Sequence, residues 1–291
     1  MRITFLAHSG FLVELDGVYL LFDWWKGQLP PLSDKPLFCF ASHAHGDHFT
    51  SKIFSLDDGS REVRFLLGKG IELSAENREK WGLSPETAEK CAVLDGNEHI
   101  ELPHGVTVET LPSTDEGVAL IITCEGKTLY HAGDLNWWHW EEEPGDWNRN
   151  MEADFKRYIE PLRGRRIDLA FAPLDPRQGN AADWGLCYLL ELAEVQRLIP
   201  MHQWKDFSPT QRFLEEHPQW AETLLPVERM GQQGDLCALK PVCFTGNKCA
   251  LANQSPKRTS FLSGITVQPP CVLHSVSIAQ RGRFKSPGSR R

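Results

Sequence analysis

The chain has 291 residues and a formal net charge of −8, which is unevenly distributed. Residues 1–240 contain all 39 acidic residues and carry a net charge of −16, whereas residues 241–291 contain no acid and carry +8. An acidic body repels nucleic-acid phosphates, which disfavours a nucleic-acid partner. One domain over residues 1–240 can bury a large core, and we predict that the basic stretch 241–291 is a disordered tail because it shows no sustained hydrophobic period.

The eight cysteines form no Cys-x-x-Cys pair, and several lie in apolar runs where a small hydrophobic side chain packs well. This pattern predicts reduced, buried thiols in a cytoplasmic protein. The N-terminus lacks the cationic start and the small-residue cleavage site of a signal peptide. No apolar run approaches the roughly 20 residues of a membrane span, so we expect no membrane association.

The first predicted elements are three strands, over residues 3–6, 11–15 and 18–22. Their residues favour β structure, and Asp16-Gly17 between the last two is typical of a hairpin turn. A fourth, buried strand is predicted over the apolar run 37–41. The N-terminal part of the chain is therefore expected to form a sheet.

The loop after this fourth strand has the sequence Ser42-His43-Ala44-His45-Gly46-Asp47-His48. On an extended backbone, residues two apart point the same way, so His43 and His45 can bind one ion with their imidazoles. Asp47 and His48 lie beyond Gly46 and are expected to face a second position. Imidazole and carboxylate together suit zinc, and also iron or manganese. The alternative is a solvated histidine-rich turn.

Further strands and helices are predicted along the rest of the chain. Apolar residues recur every three or four positions over 148–162, which predicts an amphipathic helix. Two more helices are predicted over 186–198 and 207–217. The remaining strands are predicted over 63–67, 106–111, 118–122, 127–130, 167–172, 198–201, 223–227 and 235–239.

The metal-binding loop, together with residues 3–14 and Leu20-Leu21-Phe22-Asp23, resembles the metallo-β-lactamase superfamily over roughly residues 1–240. The branch it looks like contains uncharacterised metal-dependent hydrolases and the phosphorylated-ascorbate lactonases. This resemblance implies an α/β fold, an αββα sandwich of two mixed sheets packed face to face with helices outside. It also implies a metal cleft at one edge, where loops at strand ends converge.

The resemblance implies two further ligands downstream. Gly133-Asp134 matches the family motif whose aspartate usually bridges two metals, and His202 matches the family's last ligand. A third histidine normally precedes a strand such as 118–122, but residues 111–117 contain none. Alignment on that strand puts Ser113 at the usual position and Asp115 two residues beyond. A carboxylate is the better ligand, so Asp115 is the candidate substitute, with a cap or turn role as its alternative.

Three residues are expected to support the ligands rather than bind metal. Asp23 ends the third strand and can hold the far nitrogen of a ligand histidine, or serve as a turn residue. Asp175 lies in a Pro-Leu-Asp-Pro-Arg segment like one in the relatives, and its neighbour Arg177 forms either a salt bridge or a contact to an anionic substrate group. His8 matches a histidine that often stands near the cleft in relatives, or is a packed structural residue.

Trp137, Trp138, His139 and Trp140 closely follow Asp134 and favour a pocket with aromatic walls. His139 could act as a ligand, a proton shuttle or a substrate contact, or belong to a buried aromatic turn.

These observations lead to one main hypothesis about function. The chain is expected to be a metal-dependent hydrolase in which a metal-bound hydroxide attacks a small-molecule lactone, ester, amide or phosphoester. The cofactor is expected to be zinc, as two ions, with manganese or iron as alternatives. The alternative function is a non-hydrolytic binding or sensor protein with one metal or none.

The predicted catalytic residues are Asp47, Asp134 and His139. The first ion is assigned to His43, His45 and Asp115, and the second to Asp47, His48 and His202. Asp134 is expected to lie between the two ions, and Asp47 to orient the attacking water.

Overall fold

A computed structural model describes residues 1–235, and within them the chain forms fifteen β-strands and five α-helices. The strands of the first half are β1 (Arg2–Ala7), β2 (Gly10–Glu14), β3 (Tyr19–Phe22), β4 (Leu37–Ala41), β5 (Val63–Gly68), β6 (Cys91–Leu94), β7 (His99–Leu102) and β8 (Val106–Pro112). Those of the second half are β9 (Val118–Cys124), β10 (Lys127–His131), β11 (Arg166–Ile167), β12 (Leu169–Pro173), β13 (Glu194–Val195), β14 (Leu198–Met201) and β15 (Gln233–Asp235).

The helices are short and lie between strands. The α-helices are α1 (Ala75–Trp81), α2 (Pro85–Ala88), α3 (Gly145–Ile159), α4 (Trp184–Leu192) and α5 (Ser208–Glu216). Short segments of 3-10 helix occur at Ser51–Leu56, Pro103–Gly105, Glu160–Leu162, Pro176–Ala181 and Pro218–Trp220.

The strands form two large mixed sheets and a small parallel pair. The first sheet has the order β15-β1-β2-β3-β4-β5-β6, with parallel pairing from β3 to β6. The second has the order β14-β12-β10-β9-β8-β7, with parallel pairing among β10, β12 and β14. The predicted α/β sandwich of two mixed sheets is confirmed.

The first sheet is buried on both faces, as alternate side chains of its strands show. In β4, Phe38 and Phe40 join the core cluster shared with the second sheet, whereas Leu37 and Cys39 join a separate cluster on the other face. Because successive side chains of a strand point to opposite faces, a strand buried on both sides must be apolar throughout. This explains why an uninterrupted apolar run, rather than an alternating one, identifies β4 in the sequence.

The topology gathers the ends of several parallel strands at one edge. Asp23 and Ser42 directly follow the parallel strands β3 and β4 of the first sheet. In the second sheet, Asp134, Asp175 and His202 lie just beyond the ends of β10, β12 and β14, which are also mutually parallel. Parallel strands deliver their carboxyl ends to the same edge of a sheet, so these side chains come together although they are distant in sequence.

Some predicted elements differ from the observed ones. The helix predicted over 186–198 ends at Leu192, and the following residues form β13, which pairs with β11. Apolar residues there fit either a helix or a buried strand, and tertiary pairing decides between them. The strand predicted over 223–227 is reduced to one bridge between Leu198 and Leu224.

The rest of the predicted strand 235–239 and the predicted tail 241–291 lie outside the described residues. Within residues 1–235, every helix is too short or too polar to traverse a lipid bilayer.

Phe171 offers a test of the core between the sheets. Its side chain is fully buried and stacks on Phe11 with ring centroids 4.2 Å apart. We expect Phe171→Ala to lower the free energy of unfolding by about 3–5 kcal/mol, because the removed ring leaves a cavity that packed sheets cannot fill. Urea denaturation followed by circular dichroism measures the change. The matched control is Val93→Ala at an exposed position of β6, and an equal loss there would contradict this assignment of the core.

Candidate metal centre

Asp23 fixes the loop that follows β4. Its carboxylate is fully buried and accepts hydrogen bonds from the Ser42 backbone N–H (2.7 Å) and the Ser42 hydroxyl (2.8 Å). It also accepts one from Nδ1 of His48 (2.8 Å). Burial raises the pKa of Asp23, but the nearby His131 and His48 lower it more, so the group is ionised. A buried carboxylate with several donors therefore sets the path of the loop and the orientation of the His48 ring.

Two glycines allow neighbouring loops to approach this segment. A Cβ on Gly117 would lie 2.0 Å from the carbonyl oxygen of Ser42, and one on Gly133 would lie 2.8 Å from the Ser42 Cβ. Both glycines also have positive φ angles, of +68° and +53°, which other residues rarely adopt. The glycine before Asp134 is therefore required by packing, and it brings Asp134 next to the histidine loop.

One carboxylate oxygen of Asp134 lies between the imidazole rings of His48 and His202. Asp134 Oδ1 is 3.2 Å from His48 Nε2 and 3.1 Å from His202 Nε2, and these two nitrogens are 3.3 Å apart. Ligands of a tetrahedral ion with bonds of 2.0–2.1 Å are separated by about 3.3–3.4 Å. Asp134 Oδ1 is buried and accepts no hydrogen bond within residues 1–235. The spacing and the unsatisfied oxygen therefore fit a metal ion.

The far nitrogens of both imidazoles are held by carboxylates. His48 Nδ1 donates to Asp23, and His202 Nδ1 donates to Asp175 Oδ2 at 2.9 Å. Asp175 also forms a salt bridge with Arg177. These bonds direct each Nε2 atom toward Asp134, which is the arrangement that carboxylates impose on metal-binding histidines. The structure thus places Asp23 and Asp175 where the sequence analysis expected supporting residues.

The other oxygen of Asp134 faces the second pair of histidines. His43 Nε2 is 3.5 Å from Asp134 Oδ2 and 3.0 Å from His45 Nδ1. Possible ligand atoms of His45, Asp115 and Asp134 all lie within 4.8 Å of one another. We call the set His43, His45 and Asp115 assigned from the sequence the first position, and the set Asp47, His48 and His202 the second position. In the structure, His45 and Asp115 group with Asp134, and His43 groups with His48 and Asp134. Asp134 lies between the two, with one oxygen toward each.

The charges of the cluster are strongly coupled. Burial lowers the pKa of His202, but Asp134 and Asp175 raise it more, to about 9. Burial raises the pKa of Asp134, but His202 and His48 hold it far below its usual range. Burial and the nearby His48 lower the pKa of His43 to about 4. Without a metal, His202 therefore keeps a proton beside Asp134, and a cation would take the place of that proton.

The structure also bears on the missing third histidine. The Ser113 hydroxyl accepts a hydrogen bond from the Asp115 backbone N–H (3.2 Å), whereas the Asp115 carboxylate lies with His45 and Asp134. Asp115 is exposed at its outer edge, but partial desolvation and the neighbouring Asp134 raise its pKa, which indicates that a cation there would be favourable. Asp115, rather than Ser113, is therefore brought to the first position.

His139 is not brought to the centre. Its ring packs on Trp184 with centroids 4.8 Å apart, and it belongs to none of the possible ligand groups found in residues 1–235. Trp138 and Trp140, one residue before and one after it, face the metal cluster instead. Trp137, two residues before His139, also packs on Trp184, so these two side chains lie on the side away from the cavity. The expectation of a catalytic or ligand role for His139 is thus at odds with its position.

His8 lies closer to the centre than a supporting role requires. The structure groups it with Asp47, His48 and His202 as possible ligands of one ion. Burial and the nearby His202 and His48 lower the pKa of His8 to about 2, so the ring is neutral. The available sequence signal was its position directly after a strand, which does not give the direction of a side chain.

A cavity of about 290 Å³ opens beside Asp134. Its lining consists of Thr114, Asp115, Asp134, Trp138, Trp140, Trp147, Met151, Arg177 and His202. The guanidinium of Arg177 lies 5.7 Å from the Trp140 ring centroid and 4.9 Å from that of Trp204. The cavity therefore combines aromatic walls with one cation, next to the ligands.

Asp23→Asn tests how the histidine loop is held. We expect the substitution to lower the free energy of unfolding by about 3–5 kcal/mol, because it removes one partner of a buried, hydrogen-bonded ion pair. Chemical denaturation of the metal-free protein measures the change. The matched control is Asp95→Asn, which breaks an exposed ion pair with Lys69 and should cost about 1 kcal/mol or less. Equal effects of the two substitutions would contradict the role of Asp23.

The sequence is similar to curated metal-dependent hydrolases, although no protein-family model matches it. It is 27% identical over 150 residues to a UPF0173 metal-dependent hydrolase of Alkaliphilus metalliredigens, covering 46% of this chain and 63% of that protein. It is 27% identical over 220 residues to a UPF0173 metal-dependent hydrolase of Pyrobaculum neutrophilum, covering 69% of this chain and 84% of that protein. The chain thus matches the first of these relatives over less than two thirds of that protein's length.

Solved structures share the fold at low sequence identity. Igni18, a metallo hydrolase from Ignicoccus hospitalis, aligns with a TM-score of 0.54 and 18% identity over 80% of this chain and 97% of its own. The metallo-β-lactamase fold protein YhfI of Bacillus subtilis aligns with a TM-score of 0.51 and 14% identity, covering 80% of this chain and 99% of its own. CmlA, a diiron β-hydroxylase of Streptomyces venezuelae, aligns with a TM-score of 0.55 and 12% identity, covering 81% of this chain and 54% of its own. Fold, relatives and motifs agree: the chain has the metallo-β-lactamase fold and is similar in sequence to metal-dependent hydrolases.

Proposed function

We propose that this chain is a metal-dependent hydrolase of a small molecule. The observation that carries the proposal is the position of Asp134, whose two oxygens face two groups of possible metal ligands beside an aromatic cavity. A carboxylate shared between two such groups is the arrangement of two-metal hydrolytic sites. The similarity to metal-dependent hydrolases supports the same reaction class.

His43, His45 and Asp115 would hold one ion at the first position, and Asp47, His48 and His202 would hold another at the second, with Asp134 between them. We propose zinc for both, because imidazole nitrogens and carboxylate oxygens are ligands that zinc accepts in proteins. Manganese and iron accept the same donors, so metal analysis of the purified protein has to decide.

The bound cations would lower the pKa of water toward 7 and polarise the bond to be cleaved. The protein's own groups then have separate tasks. Asp47 is partly exposed, and its carboxylate is suited to orient the attacking water by accepting a hydrogen bond from it. Asp23 and Asp175 keep the imidazoles aligned. Trp138 and Trp140 form apolar walls that limit the access of bulk water to the cavity.

The cavity supports a substrate with an apolar or ring-shaped body and an anionic group. The Arg177 side chain is about half exposed in the cavity although it is paired with Asp175, so part of its guanidinium can reach a ligand. Of the lactones, esters, amides and phosphoesters that such a centre could cleave, we favour a lactone or a phosphoester. The acidic body supports a small molecule over a nucleic acid.

The alternative is a binding or sensor protein with one metal or none. It is favoured by the first position, where an exposed aspartate replaces the usual histidine and His45 is also exposed. Fewer imidazoles and more solvent would weaken metal binding there. We also propose a cytoplasmic location, which is supported by the free thiols of Cys39, Cys91, Cys124 and Cys187.

Asp115→Asn tests the assignment of the first position. We expect it to weaken the binding of one of two metal ions by about 10-fold or more, because an amide is a poorer ligand than a carboxylate. Isothermal titration of the chelator-treated protein with Zn²⁺ measures both affinities. Ser113→Ala is the matched control and should leave both unchanged. The reverse pattern would assign the position to Ser113.

Asp134→Asn tests the proposed reaction. We expect the wild-type protein to contain close to two metal ions per chain and to hydrolyse generic aryl esters, lactones or bis-aryl phosphodiesters. The variant should lose turnover by about 100-fold or more, because it lacks the shared carboxylate. Elemental analysis and absorbance assays of released phenol or acid provide the measurements. One tightly bound ion with no turnover on any of these substrates would favour the alternative.

A further inference from the structure

His8 is a buried residue with unsatisfied polar atoms. It directly follows β1, and its residue is 4% exposed. Neither ring nitrogen has a hydrogen-bond partner within the described part of the chain. Leaving buried polar atoms without partners costs stability, so such atoms are rare in folded proteins. An unsatisfied imidazole in this position therefore calls for a ligand.

The backbone at His8 adopts a conformation that histidine rarely takes. Its φ angle is +55°, in the left-handed region, and the pairing of β1 with β2 shifts register between Phe5 and Ala7. His202, which belongs to the same group of possible ligands, also has a positive φ angle, of +66°. Strained residues of this kind persist where the fold must aim a side chain at a functional site.

The His8 ring points toward the second position. His8 Nε2 is 3.4 Å from Asp47 Oδ2, and the ligand atoms of His8, Asp47, His48 and His202 all lie within 4.8 Å of one another. Opposite ligands of a six-coordinate ion with bonds near 2.1 Å are about 4.2 Å apart. The limit of 4.8 Å exceeds this separation by about 0.6 Å, so small side-chain shifts would let the four donor atoms bind a single ion.

We propose that His8 is an additional ligand of the second position, beside Asp47, His48 and His202. The proposal rests on the proposed function only in that the centre binds divalent cations. It makes the centre asymmetric, since the second position then has one more protein donor than the first. The second position is therefore filled first and more tightly.

This asymmetry also assigns a role to the first position. Asp115 of the first position and His202 of the second both line the cavity, whereas His8 is not part of its lining and packs against Trp204. A position with fewer protein donors keeps more sites for water and substrate. By this donor count, the first position keeps more coordination sites for the substrate, and the second mainly anchors the centre.

A purely structural role for His8 can be separated from this one. The His8 ring packs on those of His202 and Trp204, with centroids 4.0 and 4.4 Å away. His8→Phe keeps an aromatic ring for this packing and removes both nitrogens. His8→Gln keeps a side-chain oxygen that can bind a metal weakly. The matched control is His99→Phe, which makes the same change at an exposed position of β7.

The experiment titrates the full-length, chelator-treated proteins with Mn²⁺. Isothermal titration gives the affinities, and electron paramagnetic resonance counts the free Mn²⁺. We expect two binding steps in the wild type, and a weakening of the tighter one by about 100-fold in His8→Phe. His8→Gln should lie between the two, and His99→Phe should match the wild type.

Unchanged binding of two ions by a folded His8→Phe protein would overturn the proposal. If that variant does not fold by circular dichroism, the His8→Gln protein decides, and wild-type affinities there would overturn it as well. The result is independent of turnover. A wild type that binds two Mn²⁺ ions without hydrolysing any substrate contradicts the proposed reaction and leaves the ligand role of His8 intact.

Discussion

The structure depends on one buried carboxylate, that of Asp134, being held between two groups of imidazoles. Its backbone carbonyl accepts hydrogen bonds from Trp138 Nε1 (3.0 Å) and from the Thr114 hydroxyl (3.3 Å), so the residue is fixed from the cavity side. Gly133 brings it against Ser42 on the other side. With the main chain held in this way, each carboxylate oxygen can face a different position. Asp134 is the common contact of the histidines, so their function depends on their positions around it.

The surrounding carboxylates extend this constraint outward. His202 is linked through Asp175 to Arg177, whose guanidinium lies in the cavity against the ring of Trp140. A negative group of a ligand that attracts Arg177 would weaken its pairing with Asp175 and so change the charge that His202 experiences. The cavity and the second position are therefore connected by a short series of charged hydrogen bonds. His48 has a shorter link, to Asp23, whose carboxylate is fully buried and does not line the cavity.

The sequence predicted those parts of the centre that are local. The histidine loop is contiguous, and the strand before it is identified by its apolar run, so His43, His45, Asp47 and His48 could be placed together. Asp134 and His202 required a resemblance, because only the topology of parallel strands brings them to this edge. The position of His8 and the direction of His139 could not be predicted. The first depends on a left-handed backbone angle, and the second on which side chains of an irregular segment meet the cavity.

With Asp115 in the place of a third histidine, as we propose, the charge of the centre would change as well as its shape. With Asp47, Asp115 and Asp134 ionised, three carboxylates would face two divalent cations and leave a net charge of about +1, one unit lower than with a neutral imidazole in place of Asp115. A lower charge acidifies water less and attracts an anionic substrate less strongly. Arg177 then becomes more important, because it is the cation of the cavity lining that does not bind metal. The chemistry of this chain is therefore better followed in variants of Asp115 and Arg177 than inferred from the fold.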